Sequence, residues 1–368
     1  MKKVLILVNH EVVIYNFRKE LVERLLNDGY EVYISSSYGE KIEELVSKGC
    51  KFVETSINRH GKNAIEDLKL LHYYKKIIKN INPDVVLSYT IKPNIYGGMA
   101  CKSLKIPYIA NITGLGTAVE NDSFIQKIII ILYKIAFKNI NCLFFQNTEN
   151  RQFFIDKGIA IKKHRLIPGS GVNLQHFNVL EYPEDNTVEF AFISRIMKEK
   201  GIDQYLEAAE FIKEKYPNTR FHICGYYEEE YEGKLKELQE KGIIEYHGMQ
   251  RDVRAILTIT HCTVHPTYYP EGMSNTLLES AACGRPIITT NRSGCREIVD
   301  DGVNGYIVQQ QNSKDLIEKI ERFLRLSYEE KKNMGLAGRK KVEREFDRKI
   351  VVSAYIDEID KILKRNNI

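Results

Sequence analysis

The sequence predicts an α/β protein with two parallel sheets, each flanked by helices. Short apolar runs alternate with amphipathic stretches along the whole chain, which is the pattern of parallel strands joined by helices. The alternation starts again after a polar junction at residues 175–187, which contains Pro183. A chain of 368 residues also exceeds what one hydrophobic core usually supports. We therefore expect two domains of similar design.

The first half is predicted to hold seven strands separated by helices. The predicted strands are residues 4–8, 31–35, 52–55, 85–88, 108–111, 142–146 and 164–167. The clearest amphipathic helices are residues 16–27 and 65–80. The first apolar run ends at Asn9 with no small-residue cleavage site, so it predicts a strand of a cytosolic protein rather than a signal peptide.

The second half repeats this arrangement with six strands and a helix after most of them. The predicted strands are residues 189–193, 220–224, 244–247, 262–265, 287–290 and 305–308. The predicted helices are residues 202–216, 232–241, 253–260, 275–283, 296–299 and 313–326. Because open parallel sheets bind ligands beyond the carboxyl ends of their strands, two facing sheets would place the site in a cleft between domains.

Composition and charge narrow the function classes. Hydrophobic residues make up 43% of the chain and charged residues 28%, as in ordinary globular proteins. The seven cysteines form no Cys-x-x-Cys pair and have no nearby histidine cluster at ligand spacing, so neither zinc nor a disulfide framework is expected. Residues 1–180 carry 25 Lys and Arg against 16 Asp and Glu, whereas the remainder carries 29 against 33. The first half is therefore expected to meet an anionic partner.

Two glutamates eight positions apart form the most informative motif. Glu271 is expected in a loop, Ser274 at the N-cap of a helix over residues 275–283, and Glu279 more than one turn inside that helix. The helix start would offer backbone N–H groups to a diphosphate, and the carboxylates could accept hydrogen bonds from sugar hydroxyls. The alternative is a loop glutamate and an unrelated glutamate on a solvated helix face.

A basic turn opens the second half. Arg195 and Lys200 follow the strand predicted at 189–193. The planar fork of arginine and the point charge of lysine suit a diphosphate that becomes a leaving group. A solvated basic surface is the alternative.

A third motif is an apolar helix over residues 123–138 with lysines along one edge. Lys127 and Lys134 share a face, and Lys138 follows four positions later. The segment is too short and too charged to cross a bilayer, but it could lie in an anionic membrane interface. The alternative is a core helix with a lysine edge.

Several motifs of the second half occur together in the order of a known family. These are Arg195 with Lys200 and Gly201, Gly225 after its strand, His247-Gly248, Glu271-Gly272 through Glu279, and the run over residues 294–305. Together they resemble the signature of the family-4 retaining glycosyltransferases with the GT-B fold. The resemblance implies two facing Rossmann-like domains and a C-terminal helix, over residues 347–364, that crosses back to the first. The implied domains are residues 1–174 for the acceptor, 175–346 for the donor, and 347–368 for the crossover helix.

The resemblance also implies metal-independent transfer from a nucleoside diphosphate sugar, without a cofactor and with retention at the anomeric carbon. Arg195 and Lys200 would clamp the diphosphate, and Glu271 would hold the sugar together with backbone N–H groups of Met273 and Ser274. Glu279 would bind the ribose, and the base would rest near Gly225, Met249 and Arg251. The implied donor-side residues are Gly225, Met249, Arg251, Gly272, Met273, Ser274, Asn275 and Glu279.

The first half departs from the common family pattern. Residues 9–18 replace a paired-glycine loop, and Thr113 stands where many members carry a histidine. What remains resembles bacterial enzymes that extend undecaprenyl-diphosphate-linked sugars for capsule, exopolysaccharide or glycan assembly. The implied acceptor side consists of His10, a turn with Tyr15 and Asn16, Thr90, Lys92, Thr113 and Gly114. His10 could equally be a local turn partner, and Lys92 a loop lysine before a turn.

The expected partners follow from these roles. They are a UDP-sugar donor such as UDP-N-acetylhexosamine or UDP-galactose, a lipid-linked saccharide acceptor and an anionic membrane surface. No nucleic acid is expected. The protein is expected to be cytoplasmic, peripheral at the inner membrane face, and a monomer or weak dimer. A UDP-sugar 2-epimerase with the same architecture and a sugar-nucleotide binding protein without turnover are the alternatives.

Overall fold

The computed structural model describes residues 1–55, 64–116, 124–184 and 186–365, and these form two compact units. Unit 1 contains Met1–Gly171, Glu271–Met273 and Arg348–Ile368, and unit 2 contains Val172–Pro270 and Ser274–Asp347. Each unit is built around one sheet whose strands pair in parallel. The predicted α/β class with two parallel sheets is confirmed.

Unit 1 has a seven-stranded sheet in the order β3-β2-β1-β4-β5-β6-β7. Its strands are β1 Lys3–His10, β2 Glu31–Ser37, β3 Lys51–Glu54, β4 Val85–Tyr89, β5 Tyr108–Ile112, β6 Cys142–Phe145 and β7 His164–Leu166. Its helices are α1 Glu11–Asn27, α2 Lys41–Ser47, α3 Ala64–Ile81, α4 Gly98–Leu104, α5 Phe124–Phe137, α6 Thr148–Asp156 and α13 Arg348–Arg365. A π-helical turn, Pro93–Gly97, leads directly into α4.

Two apolar clusters fill unit 1, and both draw on the sheet strands. One includes residues of α1 and α13 and the other includes residues of α3, α4 and α5. In the first cluster, the ring of Tyr355 on α13 lies 4.5 Å from that of Phe144. Alternate side chains of a strand point to opposite faces, so the buried runs of β1 and β4 supply both clusters.

Unit 2 has a six-stranded sheet in the order β10-β9-β8-β11-β12-β13. Its strands are β8 Val188–Ile193, β9 Thr219–Cys224, β10 Glu245–Tyr246, β11 Cys262–His265, β12 Ile287–Thr290 and β13 Gly305–Val308. Its α-helices are α7 Ile202–Lys215, α8 Glu232–Glu240, α9 Arg254–Ile259, α10 Asn275–Ala282, α11 Ser313–Leu324 and α12 Tyr328–Glu345. Helix α12 approaches the turn after α10 so closely that a Cβ on Gly335 would overlap the carbonyl oxygen of Gly284.

All thirteen predicted strands are present in the described residues, with ends that differ by at most two positions. The predicted start of the first helix is wrong, because α1 begins at Glu11 rather than at residue 16. Tyr15 and Asn16 therefore lie in a helix and not in a turn. Four further helices, α2, α4, α6 and α12, were not predicted, and the helix predicted at 296–299 is a short 3₁₀ turn, Arg296–Ile298.

Candidate functional site

The carboxyl-end edge of the unit 2 sheet gathers the residues predicted to bind a diphosphate. Strand β8 lies between β9 and β11, so the strand order reverses between β8 and β11. Such a reversal leaves a crevice beyond the strand ends, where open α/β sheets bind ligands. Arg195 follows β8 and Tyr269 follows β11. Arg195, Lys200 in the turn that follows it, and the Tyr269 ring therefore lie at this crevice.

Arg195 and Lys200 both contact one aromatic ring, that of Tyr269. The guanidinium carbon of Arg195 lies 5.1 Å from the centre of the Tyr269 ring, and the Lys200 ammonium lies 4.6 Å from it. Arg195 also pairs with the carboxylate of Glu228, and Lys200 is buried. Both positive charges therefore lie within about 5 Å of the centre of one ring, which stabilises them by cation–π contact. Tyr269 was not predicted, since nothing in the sequence separates it from 21 other tyrosines.

Two glycines allow the backbone to close around these cations. Gly201 has a φ of +80°, and a Cβ there would overlap the carbonyl of Pro266. A Cβ on Gly225 would likewise overlap the carbonyl oxygen of Ser194. The Gly225 N–H donates to the carbonyl of Gly248 at 2.9 Å, which joins the ends of β9 and β10. Only glycine permits these approaches, so the predicted pattern of Lys200-Gly201 and Gly225 has a structural cause.

Met249 and Arg251, which are expected to contact the nucleotide base, lie on the loop after β10. Met249 is 72% exposed, and Arg251 is also exposed. Both follow Gly248, whose carbonyl is tied to Gly225. They are thus accessible to a ligand at this edge of the sheet.

The start of helix α10 differs from the prediction in its detail. Ser274 occupies the N-cap position, but its side chain makes no capping hydrogen bond. Its backbone N–H donates to the carbonyl of Gly294 at 2.8 Å. That N–H is therefore not available to a donor sugar while this bond holds, contrary to the expectation. Asn275 opens the helix and Glu279 is its fifth residue, and both are half-buried.

The carboxylate of Glu297 holds the loop to which Ser274 is bonded. It accepts from the Gly294 N–H at 2.7 Å and from the Ser293 hydroxyl at 2.9 Å. Through this loop, Glu297 therefore positions Ser274, the N-cap residue of α10. The sequence showed this glutamate only as part of a family pattern.

The short segment Glu271–Met273 groups with unit 1. The side-chain amide of Asn147 donates to the carbonyl oxygens of Gly272, at 2.6 Å, and Glu271, at 3.1 Å. A Cβ on Gly272 would overlap the carbonyl oxygen of Thr113. Glu271 is half-buried in a loop, as predicted. Within unit 1, the structure thus brings Glu271 and Gly272 beside Thr113 after β5.

His10 is the last residue of β1, and Thr90 directly follows β4. His10 is the N-cap of α1, and its Nδ1 accepts from the Val12 N–H at 3.5 Å. This bond is a local contact of the kind offered as the alternative for His10, and its role toward the acceptor stays a prediction. Thr90 has a φ of +69°, which is costly for a β-branched residue. Such strain is found most often at functional positions.

Three other predicted acceptor residues have partners within unit 1. The Tyr15 hydroxyl donates to the carboxylate of Glu44 on α2. The backbone carbonyl of exposed Asn16 accepts from Arg348 at 3.0 Å. Lys92 does not precede a turn, because helical backbone continues from it into Pro93–Gly97.

Lys92 forms an ion pair that the sequence did not reveal. Its ammonium lies 2.8 Å from the carboxylate of Asp67 on α3, which also accepts from the Tyr96 hydroxyl at 2.8 Å. An anionic acceptor at Lys92 would have to compete with this carboxylate. Gly114 lies two residues beyond β5, in the loop that includes Thr113.

A buried arginine in unit 1 was not predicted. Arg18 on α1 is 2% exposed, and its guanidinium lies 4.9 Å from the ring centre of Tyr89 and 5.8 Å from that of Tyr355. The Tyr355 hydroxyl accepts from the side-chain amide of Asn111 at 2.7 Å. Burial raises the pKa of Tyr89 and of Tyr355, so both rings stay neutral beside the cation. The signal was available, because Arg18 falls on the apolar face of a helix.

A chain of ionisable groups crosses β8, β9 and β10 in unit 2. The Glu189 carboxylate lies 2.5 Å from His222 Nε2, and His222 Nδ1 lies 2.9 Å from His247 Nε2. Glu245 Oε2 is 3.6 Å from His222 Nδ1. Burial lowers the pKa of His247, and neighbouring His222 lowers it further. No histidine cluster was predicted, because residues 222 and 247 meet only through strand pairing.

The lysines of the predicted membrane face are all exposed. Lys127 and Lys134 lie on α5, whereas Lys138 lies in the turn just after it. Residue 123, the predicted first position of this helix, is outside the described residues. No helix in the described parts of the chain is long and apolar enough to cross a membrane.

Comparisons with known proteins identify glycosyltransferase sequence in both units. A family model described as "Glycosyl transferases group 1" matches residues 175–341, and one described as "Glycosyl transferase 4-like" matches residues 3–147. The chain is 28% identical over 370 residues to the N,N'-diacetylbacillosaminyl-diphospho-undecaprenol alpha-1,3-N-acetylgalactosaminyltransferase of Campylobacter jejuni. That alignment covers 95% of this chain and 96% of the relative.

Two solved structures share the fold. A glycosyltransferase from Rickettsia africae superposes with a TM-score of 0.81 at 20% identity, covering 99% of each chain. The HepE protein of Anabaena, in complex with UDP, superposes with a TM-score of 0.78 at 16% identity, covering 97% of this chain and 99% of that one.

Proposed function

Since the chain belongs to the group 1 and 4-like glycosyltransferases and has the GT-B fold, we propose that it moves one sugar from a UDP-sugar to a lipid-linked acceptor. The donor sugar is an N-acetylhexosamine or a hexose. The acceptor is a saccharide on undecaprenyl diphosphate, and the product serves surface polysaccharide or glycan assembly. The alternatives of a 2-epimerase and a binding protein without turnover are outcomes of the experiment below.

The observation that carries this function is the pair of cations on the Tyr269 ring. Arg195 and Lys200 lie at the strand-order reversal of unit 2, and open α/β sheets bind ligands beyond the strand ends at such a reversal. Their charges oppose the negative charge that develops on the β-phosphate as the glycosidic bond breaks. Glu228 now pairs with Arg195, and the diphosphate would replace this carboxylate as its partner. UDP is the proposed carrier because a structural neighbour was solved with UDP.

The proposed chemistry needs no metal and no protein nucleophile. The bond from the anomeric carbon to the β-phosphate oxygen breaks, and its electron pair leaves with UDP. The acceptor hydroxyl attacks from the same face and gives its proton to the departing phosphate oxygen, so configuration is retained. Arg195 and Lys200 supply the positive charge, and Thr113 is too weak a base to take the proton. Retention fits the alpha linkage in the relative's name, if the donor is an α-linked UDP-sugar.

We assign the acceptor to unit 1 because of the positive charge of the first half of the chain and because of the acceptor named for a relative. Residues 1–180 carry a net +9, which suits a diphosphate-linked substrate. The Campylobacter relative acts, by its name, on a diphospho-undecaprenol saccharide. The strained backbone of Thr90 and the loop of Thr113 and Gly114 lie at the carboxyl ends of β4 and β5. An acceptor anchored in lipid would keep the enzyme at the cytoplasmic face of a membrane.

The test is product formation from a panel of UDP-sugars, first alone and then with a diphosphate-linked acceptor. Transfer that requires the acceptor, with an α configuration in the product by NMR, is the expected result. Conversion of the UDP-sugar without acceptor would show an epimerase instead. Binding of a UDP-sugar with no turnover under either condition would show a binding protein. Activity that persists after EDTA treatment is expected, and loss restored by Mg²⁺ would contradict the metal-independent step.

A further inference from the structure

Helix α5 presents apolar side chains on two opposite sides. Its inner side is formed by Gln126, Ile130, Tyr133 and Phe137, which are buried against the rest of unit 1. A second row at the same spacing, Phe124, Ile128, Ile131 and Ile135, is between 42% and 78% exposed. At about 100° per residue, the two rows lie on roughly opposite sides of the helix. A surface helix normally carries polar residues where this second row lies.

Lysines flank the exposed row and continue beyond it. Lys127 and Lys134 lie next to the row on one side of α5, and Lys138 follows in the next turn. Apolar side chains beside a cluster of cations are the arrangement of helices that lie in an anionic lipid interface. The one-sided positive charge is complementary to the phosphates of an anionic bilayer.

We propose that the outer face of α5 docks on an anionic lipid bilayer. The outer face is defined as the exposed row Phe124, Ile128, Ile131 and Ile135 with Lys127, Lys134 and Lys138. The apolar row enters the boundary between headgroups and acyl chains, and the lysines contact lipid phosphates. This inference rests on the proposed function only in that a lipid-linked acceptor requires the enzyme at a membrane.

The test is vesicle co-sedimentation of the full chain with neutral vesicles and with vesicles containing anionic lipid. Binding to anionic vesicles is expected to weaken roughly 100-fold in Lys127→Glu/Lys134→Glu/Lys138→Glu, since each lysine near such a surface contributes on the order of a fivefold factor. The control Lys236→Glu/Lys314→Glu/Lys340→Glu changes the net charge equally at exposed positions of unit 2 and should bind as the wild type. Equal binding of both triple variants would overturn the proposal.

A second pair of variants tests the apolar row. Ile128→Gln/Ile131→Gln/Ile135→Gln keeps helix-forming residues and should release the protein from anionic vesicles. Its control, Phe211→Gln/Ile259→Gln/Val303→Gln, removes exposed apolar side chains of unit 2 and should not. If the outer face instead joins two copies of the chain, wild type will sediment as a dimer that the isoleucine variant dissociates, and the bilayer proposal fails.

Activity assays separate this inference from the proposed function. With a water-soluble acceptor analogue, the lysine variant should turn over like the wild type, whereas with acceptor in anionic vesicles its rate should fall. Loss of activity on the soluble analogue as well would make the outer face part of the active site and overturn the docking role. If no donor and acceptor pair supports turnover but vesicle binding follows the variants, the docking inference stands and the proposed function fails.

Discussion

The backbone N–H of Ser274 donates to the carbonyl oxygen of Gly294 at 2.8 Å. This bond ties the first turn of α10 to the loop after β12, and Glu297 holds that loop by two further hydrogen bonds. The position of Asn275 and Glu279, the proposed donor contacts on α10, therefore depends on a carboxylate that need not touch the donor.

Glu297→Gln should weaken donor binding more than it slows turnover. The amide keeps the shape but removes the charge, and hydrogen bonds to a charged group are worth about 1.5–3 kcal/mol. We expect the KM for the UDP-sugar to rise several-fold and the melting temperature to fall. Glu318→Gln on the exposed side of α11 is the matched control and should change neither. An unchanged KM in Glu297→Gln would show that the loop does not position α10.

Lys200→Ala should lower kcat far more than it raises KM. If the ammonium stabilises the departing diphosphate, its removal costs about 10²- to 10³-fold in kcat, as for other groups that stabilise developing charge. Lys198→Ala is the control, because Lys198 lies two residues away and is exposed. Steady-state kinetics with saturating acceptor measure both values. If kcat falls equally in the two variants, the loss comes from a disturbed turn and not from removal of the Lys200 charge.

Tyr269 should act through its ring. Tyr269→Leu removes the aromatic face on which Arg195 and Lys200 rest, and a partly buried cation–π contact is worth about 0.5–2 kcal/mol. We therefore expect kcat/KM to fall between about twofold and thirtyfold. Tyr269→Phe keeps the ring and should retain most of the activity. If phenylalanine is as damaging as leucine, the hydroxyl is the important group.

Two glycines three residues apart on α12 should respond to alanine in opposite ways. A Cβ on Gly335 would overlap the carbonyl of Gly284, so Gly335→Ala should destabilise unit 2 by about 1–3 kcal/mol. At Gly338, the nearest atoms to a new Cβ are 3.6 Å away, so Gly338→Ala should stabilise it by about 0.5–1 kcal/mol. Thermal unfolding measures both, and a loss of stability in Gly338→Ala would contradict the packing described for this helix.

The melting temperature should fall on mild acidification through His247. Because burial and His222 lower the pKa of His247 in the folded protein, the unfolded chain binds the proton more tightly. The resulting loss of stability begins as pH falls through the unfolded value of about 6.5 and is complete below the folded pKa. His247→Gln should flatten the change in melting temperature between about pH 8 and pH 5.5. The exposed His72→Gln is the control, and identical slopes in the two variants would assign the effect to other groups.

The sequence predicted the sheets well because strand periodicity is local. It missed the start of α1, since the run Val12-Val13-Ile14 favours extended structure and histidine is an uncommon N-cap. It missed α12 although Ser327 and Glu330 form a capping box that can be read directly from the sequence. Here the signal was present and was overlooked.

The candidate site divides in the same way. Arg195 and Lys200 were placed correctly after β8, because a strand followed by a basic turn is a local pattern. Their shared ring, Tyr269, comes from a strand that is distant in sequence, so only the fold could reveal it. The same holds for Lys92 and its partner Asp67. The catalytic and binding roles of these residues stay predictions until the variants are measured.

Helix α13 gives the chain a particular order of assembly during synthesis. Val351, Tyr355, Ile359 and Leu363 belong to an apolar cluster whose members outside this helix lie between residues 4 and 167. Residues 348–365 must therefore leave the ribosome before unit 1 can bury that face, whereas all of unit 2 has by then been made. Nascent unit 1 should expose apolar surface for as long as translation of unit 2 lasts, and it should need chaperone protection over that interval.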